Sequence, residues 1–216
     1  MDTILGMFEI FVDDWNNVLM LLLEHIYMSF TGVLFAILIG VPLAVAMTKS
    51  KVLAQSIQVL INLVQTIPSL ALLLIVLIFL GLGYQTVIVA LFCYSLMPII
   101  QNSFVGLSNV DRNLIEAGIG MGMTSRQLLF QVKIPLSMPV ILAGIRVALV
   151  IAVGIATIGT LVGAGGLGKL IYRGIATSND AKLLAGAIPA ALLAILLDSV
   201  VGRLEKKLNR SRRHAA

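Results

Sequence analysis

The chain has 216 residues, of which 59% are hydrophobic and 12% are charged, and its mean hydropathy is +1.06. A soluble domain carries about 25% charged residues, so this composition excludes an ordinary soluble globular protein and predicts an integral membrane protein. The single cysteine, Cys93, lies in an apolar run, which leaves neither a disulfide framework nor a cysteine-based metal cluster. We expect no cofactor and no metal ion.

The net charge of +5 is concentrated near the end of the chain, which argues against nucleic-acid binding. Within residues 203–216, six basic residues follow the last apolar run: Arg203, Lys206, Lys207, Arg210, Arg212 and Arg213. A basic tail is typical of the cytoplasmic side of a membrane protein and also suits anionic lipid headgroups. Residues 1–24 contain no Lys or Arg, so they are expected to form an external segment and not a signal peptide.

Five stretches are apolar enough to cross a bilayer, which takes about 20 residues. They are expected at 27–47, 52–80, 84–101, 138–162 and 183–202. Gln65 and Pro68 interrupt the second span with a polar group and a potential kink, and they are candidates for a pore or gate. The predicted fold is an all-α membrane protein whose residues 1–216 form a single transmembrane domain.

Basic residues determine the predicted orientation. If the N-terminus is outside, eleven Lys and Arg residues fall on the cytoplasmic side and three fall outside: Lys169, Arg173 and Lys182. We therefore predict an N-out, C-in topology, in which residues 108–135 form a cytoplasmic loop. The sequence holds one copy of the five-span unit, so one chain would supply half of a two-fold pore.

Small residues recur every four positions in the fourth span: Gly144, Ala148, Ala152, Ala156 and Thr160. This spacing lets another helix approach closely, so packing is the favoured interpretation, with pore lining by the three alanines as the alternative. Arg146 is the only strong base within a span, and it either faces protein or water or extends to the interface. Asp198, in the fifth span, has two similar interpretations, a functional pairing or a partner at a helix end.

Residues 108–135 are too charged for a bilayer and too well patterned for a slack loop. Two patterns typical of helix starts lie in this range: Ser108 with Asp111, and Thr124 with Gln127. Between them, three glycines loosen the backbone: Gly118, Gly120 and Gly122. Pro135 then opens the next apolar segment. The prediction is a helix, a glycine-rich bend and a second helix outside the membrane, on which a partner docks.

Residues 163–170, GAGGLGKL, match the GxxxxGK spacing of a phosphate-binding loop and contain GxGxxG. Leu170 replaces the hydroxyl residue that would bind magnesium, and the motif follows a span and not a strand. We expect residues 163–180 to form a connector to the fifth span, which the glycines make bent and partly re-entrant. The two histidines, His25 and His214, lie at opposite ends of the chain, so no nucleophile–base pair is indicated and the chain is not expected to be an enzyme.

The loop at 108–135 carries Glu116-Ala117-Gly118, then Gly122 four positions later, then Val132-Lys133-Ile134-Pro135. This spacing resembles the EAA loop of binding-protein-dependent ABC importer permeases, whose pattern is EAA, three residues, G, nine residues and I-x-L-P. Gly118, Val132 and Ile134 depart from that pattern, and Gly118 is expected to loosen the first helix.

Several further stretches, over roughly residues 24–202, are similar to osmoprotectant importer permeases: QTIPSLALL (65–73), LMPI (96–99), GMGMT (120–124), IPLSMPVILAGIR (134–146) and GAGGLGKLIYRGI (163–175). Those proteins carry glycine betaine, carnitine, choline or related quaternary ammonium compounds. The methionine importer permease is the close alternative.

The resemblance implies a type I importer permease in a bacterial cell membrane. Its implied partners are two cytoplasmic ABC ATPase subunits, a second permease chain and an external substrate-binding protein. It also implies which residues contact the ATPase: Glu116, Ala117, Gly118 and Gly122, with Arg126 as a neighbour and Val132 and Pro135 completing the motif.

Substrate chemistry gives a separate indication. A quaternary ammonium gains affinity from an aromatic cage, yet only 6% of the residues are aromatic and Trp15 is the only tryptophan. Tight capture is therefore expected on another protein. A proton- or sodium-driven transporter, which needs carboxylates at membrane depth, and a scaffold without transport activity are the competing hypotheses.

Overall fold

A computed structural model of the chain describes the backbone of residues 2–213 and the side chains of residues 3–209. Over that range ten α-helices follow one another without a β-strand: α1 (Asp2–Asp13), α2 (Trp15–Met47), α3 (Lys51–Thr66), α4 (Ser69–Leu80), α5 (Tyr84–Ser108), α6 (Arg112–Gly120), α7 (Ser125–Gln127), α8 (Ile134–Ala156), α9 (Gly168–Ala176) and α10 (Asp180–Arg213). A π-helical segment, Leu128–Lys133, joins α7 to α8, and a 3-10 segment, Thr157–Val162, extends α8. The all-α prediction is confirmed.

The apolar helices coincide with the predicted spans and extend beyond them. Four stretches are long and apolar enough to cross a membrane: Trp15–Met47, Tyr84–Ser108, Ser125–Val162 and Asp180–Asn209. The bent pair α3–α4 gives a fifth if it forms one span. The first of the four begins twelve residues before the predicted start because Asn16, Asn17 and Glu24 lower the local hydropathy without interrupting the helix. The side chains of Arg210, Arg212 and Arg213, and all of His214, lie outside the described part.

The second span is broken into two helices that meet at an angle of 98°. α3 ends at Thr66, and Ile67 adopts an extended backbone with ψ of 125°. A residue before proline is driven out of the helical region by the proline ring, so Pro68 accounts for the break at this position. The kink anticipated at Pro68 is therefore a full interruption.

Three long helices, α2, α5 and α8, form the centre of the molecule. Their shared core is rich in small residues at the points of closest approach. A Cβ on Gly32 of α2 would lie 2.7 Å from the Cβ of Leu91 on α5, and a Cβ on Gly144 of α8 would lie 2.6 Å from the Pro98 carbonyl oxygen on α5. Both interfaces therefore depend on the absence of a side chain.

The remaining helices cover this centre at its edges. α10 packs against α8, while α9 and α1 pack against α10. The connector predicted at residues 163–180 contains the nine-residue helix α9, so it is more regular than the glycine-rich sequence suggested. It also places the glycine-rich turn beside the start of α5, with the Gly83 N–H donating to the Val162 carbonyl at 2.8 Å.

Candidate functional site

The loop between α5 and α8 begins with a helix that is capped by Asp111. The Asp111 carboxylate accepts a hydrogen bond from the Asn113 N–H at 2.8 Å, which satisfies one of the free donors of the first turn. Ser108, the predicted start, is instead the last residue of α5, so that prediction is wrong. Ser108 cannot start a new helix because α5 continues to it, seven residues beyond the predicted end of the third span.

The outer face of α6 combines a carboxylate with exposed apolar side chains. Glu116 accepts a hydrogen bond from Arg112 Nε at 2.8 Å, one helical turn away, and both side chains are exposed. Ile119 and Met121 are 60% and 77% exposed, and Ala117 is exposed beside them. Apolar side chains that cluster on an otherwise polar loop indicate a surface that another protein covers.

Gly122 ends α6 in a Schellman motif. The N–H of Met123 donates to the Gly118 carbonyl at 3.0 Å and the N–H of Gly122 donates to the Ile119 carbonyl at 2.9 Å. Gly122 has a φ of +80°, a left-handed conformation that residues with a Cβ adopt at a cost. The glycine-rich bend is therefore a defined helix cap.

Gly118 lies against the second helical part of the loop. A Cβ at this position would lie 2.8 Å from Leu128 Cδ1 and 3.1 Å from the Met123 sulfur atom. Both Gly118 and Leu128 are buried. Gly118 was expected to loosen α6, but in the structure it has a packing role. Because glycine has no side chain, α6 can pack closely against the segment that contains Leu128.

The second helix start is confirmed. Thr124 and Gln127 form a reciprocal capping box, in which the Gln127 N–H donates to Thr124 Oγ1 at 3.3 Å and the Thr124 N–H donates to Gln127 Oε1 at 2.8 Å. From Ser125 the chain then stays helical through the fourth span. The π-helical turn ends at Lys133, two residues before Pro135, whose nitrogen has no proton to donate. Pro135 therefore sits inside a continuous rod and does not begin a separate helix.

The other residues of the predicted coupling set lie along this rod. Arg126 and Pro135 are exposed and Val132 is half-buried. The structure therefore places the coupling set on two connected pieces, the capped helix α6 and the rod from Ser125 into α8.

The predicted pore residues fall into two groups. Gln65 Nε2 donates to the Tyr94 carbonyl at 2.9 Å, and the Tyr94 hydroxyl donates to the Ile67 carbonyl, so α5 holds the break between α3 and α4 in place. Ala148, Ala152 and Ala156 are at most 1% exposed and belong to the central core. Packing thus accounts for the small-residue stripe, and a pore role for either group stays a prediction.

Residues 32–210 match the family model described as binding-protein-dependent transport system inner membrane component. The chain belongs to this family. It is 47% identical over 210 residues to the carnitine transport permease protein OpuCD of Listeria monocytogenes, an alignment that covers 97% of this chain and 94% of the relative. It is 48% identical over 187 residues to the glycine betaine/carnitine/choline transport system permease protein OpuCD of Bacillus subtilis, covering 86% and 82%.

The fold is also that of a solved importer. An inward-facing structure of the MetNI methionine ABC transporter matches with a TM-score of 0.83 at 23% identity, covering 91% of this chain and 98% of that chain. This chain is therefore a multi-pass permease subunit of an ABC importer, with the type I permease fold.

Arg146 of the permease has partners that the sequence did not pair. Its Nε and one terminal nitrogen donate to the two oxygens of Asp198 at 2.5 and 2.6 Å, and a carboxylate oxygen of Glu205 lies 3.6 Å from the other terminal nitrogen. Gly202 provides space for the guanidinium, since a Cβ there would lie 3.2 Å from Arg146 Cζ. Arg146 therefore faces protein, as the first of its two interpretations expects, and its ion pair with Asp198 ties α8 to α10.

We expect Arg146→Met to lower the thermal unfolding midpoint of the purified permease by several degrees, because two carboxylates then face each other without a cation. The variant Arg146→Met/Asp198→Leu should be more stable than the single variant, since removing both partners leaves fewer uncompensated charges. Intrinsic-fluorescence melting in detergent measures both. A double variant that melts below the single one would contradict the pairing.

A second polar contact that the sequence did not reveal lies at the opposite end of the permease. Glu24 of α2 accepts hydrogen bonds from the Tyr84 hydroxyl at 2.7 Å and from the Gly166 N–H at 2.8 Å. His25 is fully buried next to it, and its Nε2 lies 3.0 Å from the Val153 carbonyl oxygen. Together they fasten the glycine-rich connector to α2, α5 and α8.

Proposed function

We propose that the permease forms half of the pore of an ATP-driven importer of quaternary ammonium osmolytes and that residues 108–135 couple it to a separate ATPase. The observation that carries the coupling proposal is that α6, which has an exposed outer face, packs against the rod that continues into α8. α6 presents Glu116, Ala117 and the apolar Ile119 and Met121, and its other side is seated on Leu128.

The mechanism follows from this attachment. Leu128 belongs to a helical rod that runs without interruption from Ser125 to Ala156. The two caps at Asp111 and Gly122 fix the ends of α6, so a displacement of its outer face by a partner moves the whole helix. Because packed side chains do not deform continuously, that movement reaches α8 through the Gly118–Leu128 contact.

The partners are two cytoplasmic ATPase subunits, a second permease chain and an external binding protein, with the N-terminus outside and the basic tail in the cytoplasm of a bacterial cell. Contacts among segments assigned to the same side support this grouping of the segments, and the distribution of basic residues supports the orientation. Glu24, Tyr84 and Gly166 meet at the end assigned to the outside, while Lys49, Arg126 and Lys133 line one cavity at the end assigned to the cytoplasm.

Osmoprotectants are the proposed substrates because the relatives that share 47–48% of their residues are named for carnitine, glycine betaine and choline. The methionine transporter shares the fold at 23% identity, so it supports the architecture alone. With few aromatic residues in the chain, a separate binding protein would capture the solute and the permease would offer a weakly binding path. Gln65 and Pro68, at the broken helix, and the stripe of Ala148, Ala152 and Ala156 remain the proposed gate and pore elements.

The test of coupling combines Glu116→Ala with Gly122→Leu. Leucine at a φ of +80° strains the cap by about 1–2 kcal/mol, and alanine removes the carboxylate from the docking face. In the reconstituted complex with its ATPase and binding protein, we expect ATP hydrolysis to continue while uptake of labelled glycine betaine falls at least about tenfold, the loss that about 1.4 kcal/mol of coupling energy represents.

Gly120→Ala is the matched control, because Gly120 lies on the same helix, a Cβ there would meet nothing within 4 Å, and its φ is not in the left-handed region. This variant should retain uptake. Full uptake by the double variant would refute coupling through this loop. Competition of labelled betaine uptake by carnitine, choline and methionine tests the substrate class separately.

A further inference from the structure

A cavity of about 480 Å³ separates the end of α2 from the rod that follows the coupling helix. Its polar wall consists of Thr48, Lys49, Ser125, Arg126 and Lys133, and its apolar wall includes Val45 and Leu129. The volume falls in the range of about 300–1,000 Å³ that is typical of small-ligand pockets. The pocket thus has a cationic wall and an apolar wall.

The three cations of this pocket lack a counter-ion among the side chains that the structure describes. No acidic residue lines the cavity, and none of the three has an ion-pair partner among the described side chains of residues 3–209. Elsewhere in the same range Arg112 is paired with Glu116 and Arg146 with Asp198 and Glu205. Three like charges around one cavity repel one another, so their arrangement favours an anionic occupant.

We propose that this cavity binds the phosphate of an anionic phospholipid headgroup. Arginine contacts phosphate through two parallel N–H donors, and lysine acts as a compact charge, so this set of side chains is suited to a phosphate group. The apolar wall distinguishes a lipid from free phosphate, because Val45 lies in the last turn of the first span and Leu129 lies in the rod that continues into the fourth. Basic pockets between helices on the cytoplasmic side of a membrane are known binding places for such headgroups.

The ATPase is a less suitable occupant of the same cavity. None of the residues of α6, which carries the proposed docking face, lines it, and Arg126 is the one member of the predicted coupling set that does. The lining residues come from the end of α2 and from the rod between Ser125 and Lys133, on the side of the loop that adjoins the spans. A bound headgroup would bridge α2 to the part of that rod that follows α6 in the chain. The proposal relies on the membrane location of the chain and does not depend on ATPase coupling.

The test uses the full chain in vesicles of phosphatidylcholine that contain a fraction of phosphatidylglycerol with a photoreactive headgroup. We expect crosslinks at residues 45–49 and 125–133, mapped by mass spectrometry, and the variant Lys49→Gln/Lys133→Gln should reduce them about tenfold. Crosslinks at residues 203–209 in the basic tail should be unchanged and serve as the internal reference. Lys51→Gln, a neighbouring exposed lysine outside the cavity, is the matched control and should crosslink like the wild type.

Each alternative occupant predicts a distinct result. Wild-type crosslinks confined to the tail would overturn the proposal. This outcome is measured on the wild-type protein, so it does not depend on whether the double variant folds. Loss of the cavity crosslinks on adding inorganic phosphate at millimolar concentration would show that the site takes a free anion. Equal crosslinking in the wild type and the double variant, together with weaker ATPase association of the variant, would assign the cations to the ATPase. Failure of the coupling test leaves these crosslinks unaffected, so the two proposals are separable.

Discussion

Substitution of Gly144 by valine is expected to separate α5 from α8 and to abolish the native packing of the permease. A Cβ at Gly144 would lie 2.6 Å from the Pro98 carbonyl oxygen and 2.7 Å from Asn102 Cβ. The first of these atoms belongs to the backbone and cannot move aside as the end of a flexible side chain could. Overpacking of this kind costs about 3 kcal/mol or more, so we expect little monodisperse protein on size-exclusion chromatography and a large loss of thermal stability.

Gly154→Ala is the matched control for this experiment. Gly154 lies on the same helix, but a Cβ there would meet nothing within 4 Å. Alanine has a better helix propensity than glycine by up to about 1 kcal/mol, so this variant should be as stable as the wild type or slightly more stable. If Gly144→Val and Gly154→Ala melt at the same temperature, the close approach of α5 and α8 is not what stabilises the fold.

Features with a local cause were predictable from the sequence. Hydropathy located the spans, the four-residue spacing that includes Gly144 indicated a close helix contact, and the pair Thr124 and Gln127 indicated a capping box that the structure contains. Each of these depends on residues within one or two helical turns. The helix start assigned to Ser108 failed for a related reason, since Asp111 offers an equally good cap three residues later and tertiary packing extended α5 up to Ser108.

Features that join distant parts of the chain were not predictable from one sequence. Arg146 and Asp198 were each recognised as unusual in a span, yet 52 positions separate them and the crossing of α8 with α10 brings them together. Glu24 and Gly166 are 142 positions apart, and nothing near either residue indicates the other. The role of Gly118 was likewise hidden, because local propensity describes a glycine as flexible while the packed structure uses its missing side chain to seat Leu128.

Substitution of Gly168 by alanine tests what the glycine-rich segment 163–170 does. A Cβ at Gly168 would lie 1.9 Å from the carbonyl oxygen of Thr157 and 2.8 Å from its carbonyl carbon, so the connector would have to move away from the end of the fourth span. Because both obstacles are backbone atoms, we expect a loss of about 3 kcal/mol in the free energy of unfolding. The Glu24 carboxylate would lose its hydrogen bond from Gly166 in the same movement, which hydrogen exchange at the Gly166 amide would report.

Lys169→Ala is the control that separates this packing role from nucleotide binding. In a phosphate-binding loop the lysine contacts the phosphates, and its loss would remove nucleotide binding while the backbone stays intact. Lys169 is exposed here, so alanine should change stability by no more than about 0.5 kcal/mol and should leave uptake of the proposed osmolyte at the wild-type rate. The opposite pattern, with a tolerated Gly168→Ala and a transport-deficient Lys169→Ala, would point to a bound anion at this turn. The steric contact with Thr157 favours packing, since it requires a glycine whether or not any ligand is present.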